Sequence, residues 1–105
     1  MNPIARIARH LSCRARRRRA ALFRKTFVLD PGTRILDLGS EDGSHIHAVL
    51  AGTPVTPANV YIADIKERVV CRGQQLYGFT PVVIDQSQRL PFEDGFFDIV
   101  YSSSV

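Results

Sequence analysis

The stretch from Arg34 to Leu50, RILDLGSEDGSHIHAVL, runs from an apolar segment ending in Asp37-Leu38-Gly39 through a polar loop closed by Gly43 into a helical pattern. In that pattern Ile46, Val49 and Leu50 share one face. Strand, glycine-bearing turn and helix in this order open a βαβ unit, and the same alternation repeats along the chain. Asp30-Pro31-Gly32 is a turn, residues 33–38 form a short strand, and residues 44–51 form a helix. Residues 52–59 carry two prolines and must be a loop. Residues 60–63 form a second strand ended by Asp64, and residues 66–77 a second helix stopped by Gly78. Residues 81–84 form a third strand ended by Asp85, residues 91–95 a turn region and residues 97–102 a fourth strand. The strands are continuously apolar rather than alternating, which predicts a parallel sheet covered on both faces. The expected fold is α/β, a doubly wound, mostly parallel sheet with helices on both faces.

The 105 residues suffice for one small domain. With 45% hydrophobic and 23% charged residues the composition is that of an ordinary globular protein. The charge is nevertheless segregated. Residues 1–25 hold nine basic side chains and no acid, whereas residues 26–105 hold five bases and all ten acids, so a basic arm precedes an acidic body. The arm is rich in helix formers, with Ile4, Ile7, Ala8 and Leu11 spaced for one face. It has two readings: a leading helix packed on the body, or an electrostatic contact with an anionic surface of lipid or nucleic acid. No aromatic interleaves its arginines before Phe23, which disfavours base stacking. Cys13 and Cys71 form neither a CxxC pair nor a metal set. No run is long enough for a transmembrane segment and none resembles a signal peptide, so the expected location is cytoplasmic.

Each of the first three strands ends in an aspartate: Asp37, Asp64 and Asp85. In an open parallel sheet, ligands bind outside the carboxyl ends of the strands where the strand order reverses. Three carboxylates brought to that edge repel one another unless donors or a ligand sit among them. A dinucleotide needs G-x-G-x-x-G, but the loop here reads Gly39-Ser40-Glu41-Asp42-Gly43-Ser44. Glu41 and Asp42 also place two negative charges where phosphate would bind. An NAD(P)-dependent oxidoreductase is therefore disfavoured, and a ligand with an adenosine, a cationic centre and no phosphate fits better.

These residues resemble the class I S-adenosylmethionine-dependent methyltransferases of the small-molecule type. Asp37, Gly39 and Gly43 match the D-x-G-x-G-x-G first motif, with Glu41 in place of the middle glycine. The stretch from Leu90 to Val100, LPFEDGFFDIV, matches the family's L-P-F-x-D-x-x-F-D segment and is the more specific signal. The resemblance covers residues 33–105 and implies a Rossmann-like sheet, S-adenosyl-L-methionine as cofactor and a small-molecule methyl acceptor. It also implies roles for individual residues. The turn holding Asp37, Gly39, Ser40 and Gly43 would line the methionine end of the cofactor. Asp64 would accept from the ribose hydroxyls, and Ile65 would pack on the adenine. Either Asp85 or Gln86 would meet the adenine amino group, Asp85 being chemically the better acceptor, and Ser102 ends the strand that lines the reaction site.

Other residues point to structure. His45 and His47 lie two apart on a helix and cannot face one ligand, so no metal pair is expected. Residues 102–104 lack the Gly-x-Ser-x-Gly elbow, and no catalytic residue is assigned. Asp98 is expected to anchor a turn or the start of a strand. The family's fourth strand is paired on its far side by a fifth, so the chain reads as the N-terminal part of the domain, a fragment truncated after the fourth strand. It would hold much of the cofactor site and little of the substrate site. The alternative is a noncatalytic module working through the basic arm.

Overall fold

The computed structural model describes residues 27–102 together with Arg18, Ala21, Leu22 and Lys25. Those four arm residues are helical and exposed, and the expectations for residues 1–25 otherwise lie outside the described residues. Among the described residues the body forms β1 (Ile35–Leu38), α1 (Ser44–Leu50), a 3-10 turn (Pro57–Asn59), β2 (Val60–Asp64), α2 (Glu67–Tyr77), β3 (Thr80–Val83) and β4 (Ile99–Tyr101). The strands pair in the order β3-β2-β1-β4, all parallel.

Local hydrogen bonding trims the elements relative to the sequence reading. Thr33 closes the Asp30 turn instead of joining β1: its N–H donates to the Asp30 carbonyl at 3.2 Å and its hydroxyl accepts the Asp30 N–H at 3.0 Å. β4 begins only at Ile99 because Asp98 is a clamp. Its carboxylate accepts the Arg34 N–H at 2.8 Å, while its own N–H donates to the Arg34 carbonyl at 2.9 Å. Asp98 thus anchors the strand start, as expected. Helix α2 ends at Gly78, whose φ of 78° lets its N–H return to the Gln74 carbonyl at 2.9 Å.

The topology decides which face each connection covers. The chain steps from β1 to β2 to β3 in one direction, and right-handed crossovers lay both helices on one face. There Ile35, Val60, Ile62 and Ile99 pack against Ile46, Val49 and Leu50 of α1, Val70 of α2 and Phe79. Full burial of one such aliphatic side chain contributes roughly 1.5–3 kcal/mol. From β3 the chain jumps back past β2 and β1 to β4, so this connection crosses the opposite face. That face carries Leu36, Ala63 and Val82, covered by Leu90, Phe92 and Phe97. Tyr61 is at the centre of the cover, edge-on to Phe92, Phe96 and Phe97 at 5.2–5.6 Å. The sequence reading placed helices on both faces; among the described residues the second face is closed by this aromatic segment. The L-P-F segment singled out in the sequence is therefore a structural cover for the sheet.

Candidate functional site

All four strands point the same way, so their carboxyl ends share one edge. The strand order reverses between β1 and β4, the position beside which open α/β sheets bind their ligands. Asp37 on β1 and Tyr101 on β4 are register partners beside it.

The loop after β1 turns back on itself through three positive φ angles: 68° at Gly39, 53° at Glu41 and 80° at Gly43. Its amides are spoken for. The N–H groups of Gly39 and Ser40 both donate to the Ala63 carbonyl, at 2.8 and 3.3 Å, and the Gly43 N–H donates to the Ser40 carbonyl at 3.0 Å. Helix α2 presses on the loop from outside, because Gly73 approaches so closely that an added Cβ would overlap the Asp42 carbonyl and the Ile62 side chain. Gly43 has a second reason to be glycine, since a Cβ there would lie 2.9 Å from the Phe79 ring.

The three strand-end carboxylates occupy three different environments, which resolves their mutual repulsion. Asp37 is 1% exposed, and its Oδ1 has no hydrogen-bond partner among the described residues. Burial pushes its pKa up to about 7. Asp64 is half-buried and tied at both oxygens: Oδ2 accepts the Glu41 N–H at 3.2 Å and Oδ1 the Lys66 N–H at 3.1 Å. Each oxygen keeps a second lone pair for another donor. Asp85 is exposed and closes its own turn, accepting the Ser87 hydroxyl at 2.7 Å and the Ser87 N–H at 2.9 Å through Oδ1, bonds that hold its carboxyl below the usual range. In the loop, Asp42 is likewise held low, mainly by Ser44, whose N–H donates to its Oδ1 at 3.0 Å.

The structure brings Asp37, Gly39, Ser40, Gly43 and Asp64 together around the β1 loop, with Ser40 buried and its hydroxyl donating to the Glu41 carbonyl at 3.4 Å. Ile65 follows Asp64 with its side chain 55% exposed, an apolar surface at the end of β2. Asp85 and Gln86 stand exposed beyond β3, and Ser102 lies exposed just after β4. A cavity of about 330 Å³ opens beside the loop, lined by Glu41, Asp42, Lys66, Arg68, Val69 and Arg72.

One contact was not legible in the sequence. His45, from the first turn of α1, meets Tyr101 of β4 with Nε2 and Oη 2.9 Å apart and the rings stacked at 5.9 Å. His47 faces away and stacks on Tyr77 at 4.3 Å, so the two histidines have separate partners. Among the described residues no group of three or more His, Cys, Asp or Glu side chains is placed to hold a metal ion.

An open parallel α/β sheet with an acidic, glycine-hinged loop at its switch point defines a Rossmann-like protein. Residues 36–105 match the methyltransferase domain family, and the chain belongs to that family. Its members generally use S-adenosylmethionine. No curated protein matches the chain. No helix among the described residues is long and apolar enough to cross a membrane.

Proposed function

We propose that the carboxyl edge of this sheet binds S-adenosyl-L-methionine and serves transfer of its methyl group to a small-molecule acceptor. The observation that carries this reading is Asp37, a buried carboxyl whose Oδ1 has no donor among the described residues, at the point where the strand order reverses. A cationic ligand supplies what that oxygen lacks, and the loop beside it offers carboxylates where a phosphate would be repelled.

When bound, the cofactor supplies a sulfonium-activated methyl group and a thioether leaving group. The protein's part is to hold and orient. Asp64, its carboxylate fixed by two backbone amides, is set to accept the ribose hydroxyls through its remaining lone pairs, each such charge-assisted bond contributing on the order of 1.5–3 kcal/mol. Ile65 offers its exposed side chain to the adenine, with Asp85 or Gln86 beyond β3 to receive the adenine amino group. Gly39, Ser40 and Gly43 shape the turn around the methionine part, and Ser102 follows the strand nearest the acceptor. In-line placement and exclusion of water are then the protein's main contributions to rate.

Isothermal titration with S-adenosylhomocysteine tests the reading, with NADH as the control ligand and Asp64→Ala as the control protein. Saturable binding of the thioether, absent for NADH and lost in the variant, supports it. A folded wild-type chain that takes up no S-adenosylhomocysteine rules it out.

A further inference from the structure

The geometry points to a second binding site, for a neutral aromatic molecule of one or two rings, at the end of the sheet away from Asp37 and Asp64. A cavity of about 240 Å³ opens there between the end of α1, the start of β2 and the end of α2. Leu50, Val55 and Val60 form its aliphatic side, and His47, Tyr77 and Phe79 its aromatic side. The three rings stand as one group: His47 stacks on Tyr77 at 4.3 Å, and Phe79 is tilted against both, 5.4 Å from Tyr77 and 6.3 Å from His47. This site stands independently of the cofactor reading.

Size, charge and polarity each narrow the occupant. An apolar cavity of about 150 Å³ is enough to take up a benzene ring, so this one has room for a ring bearing a substituent or a second ring. Among the described residues no Asp, Glu, Lys or Arg lines it, whereas five of the six residues around the cavity beside the β1 loop are charged. An ion would leave water here without a partner, so the occupant is neutral. Both α1 and α2 end at this cavity, and a helix end presents carbonyl oxygens in excess of donors. An N–H or O–H on the edge of the ring suits that surface, and a carboxylate does not. The aromatic side supplies stacking and edge contacts.

Phe79 ties the cavity to the first loop. Its ring is 4% exposed and lies against Gly43, where an added Cβ would come within 2.9 Å of it. Gly43 is the last hinge of the β1 loop and the N-cap of α1. The same side chain therefore lines the cavity and abuts the loop, and occupancy is transmitted to Gly43.

Titration of indole into the isotope-labelled full chain, followed by amide resonances in NMR, tests the site. Saturable shifts are expected at Thr53, Val55, Tyr77 and Gly43, with a dissociation constant of about 1 mM or below. Indole-3-acetate, which adds a carboxylate to the same rings, should bind at least about 10-fold more weakly. Val55→Phe fills the cavity and should weaken indole about 10-fold; Tyr77→Leu, which keeps an apolar side chain but removes a ring, should weaken it about 3-fold or more. Dispersed spectra identify a folded variant, and the comparison of the two ligands in the wild type stands without either. Absence of saturable shifts, equal affinity for the two ligands, or unchanged indole affinity in a folded variant overturns the site. A Gly43 amide that stays fixed while the cavity amides shift overturns the transmission to the loop.

Discussion

The backbone N–H of Glu41 donates to Oδ2 of Asp64 across 3.2 Å, tying the turn after β1 to the end of β2. Because Glu41 sits at a φ of 53°, this bond holds a non-glycine residue in the left-handed region, where an L side chain costs roughly 1–2 kcal/mol. Glu41→Gly should relieve that strain. The added freedom of glycine in the unfolded chain offsets part of the gain, leaving about 0.5–1 kcal/mol of net stabilisation. Urea unfolding of the two proteins checks it, and a destabilised variant would show that the glutamate side chain contributes more than its backbone costs.

Asp37 gives the stability an unusual pH dependence. Its folded pKa of about 7 lies above the 3.8 of an ordinary aspartate, so between those values the folded chain holds a proton that the unfolded chain has released. This group's contribution therefore favours folding most below about pH 4 and weakens as pH rises to about 7, by at most about 4 kcal/mol. Asp37→Asn removes the titration. The variant should match the wild type in unfolding free energy at pH 4 and exceed it at pH 8; equal stability at both would place the carboxyl in a better-solvated environment.

The same carboxyl links ligand binding to protons. A ligand ammonium brought against this carboxyl favours the ionised form, so uptake of S-adenosylhomocysteine at pH 6 should release about one proton, and much less at pH 8.5. Calorimetry in buffers of different ionisation enthalpy measures this directly. Release that persists unchanged in Asp37→Asn would assign the proton to another group.

Gly73 is the point where α2 bears on the loop. Gly73→Ala drives a methyl group into the Asp42 carbonyl and Ile62, and should cost about 1–3 kcal/mol despite the better helix propensity of alanine. Displacement of the loop should also weaken S-adenosylhomocysteine binding. A variant as stable as the wild type would mean that α2 can shift outward freely.

The aromatic cover predicts a separable effect. Tyr61 packs edge-on against three phenylalanine rings on the face away from α1 and α2, so Tyr61→Ala should lower stability by about 2–4 kcal/mol. In the fraction that remains folded, affinity for S-adenosylhomocysteine should be unchanged, because Asp37 faces the other side of the sheet. A parallel loss of affinity would show that the cover positions the β1 loop.

Much of this protein is determined locally. Continuous apolar runs ending in Asp37, Asp64 and Asp85, the glycines flanking the first loop and Gly78 after the second helix specify strands, turns and helix ends through backbone sterics and short-range hydrogen bonding, and they are readable without coordinates. Parallel order follows from the alternation of strands with helices. The tertiary structure alone decided the rest, because it depends on which distant residues meet. Burial makes Asp37 a weak acid while two amides fix Asp64 and a serine engages Asp85, although the three look alike in the chain. Crossover direction assigns both helices to one face and the Phe92–Phe97 segment to the other. His45 and Tyr101 lie 56 residues apart, and no periodicity relates them; they meet only because β4 returns to pair with β1 beneath the helix that β1 leads into.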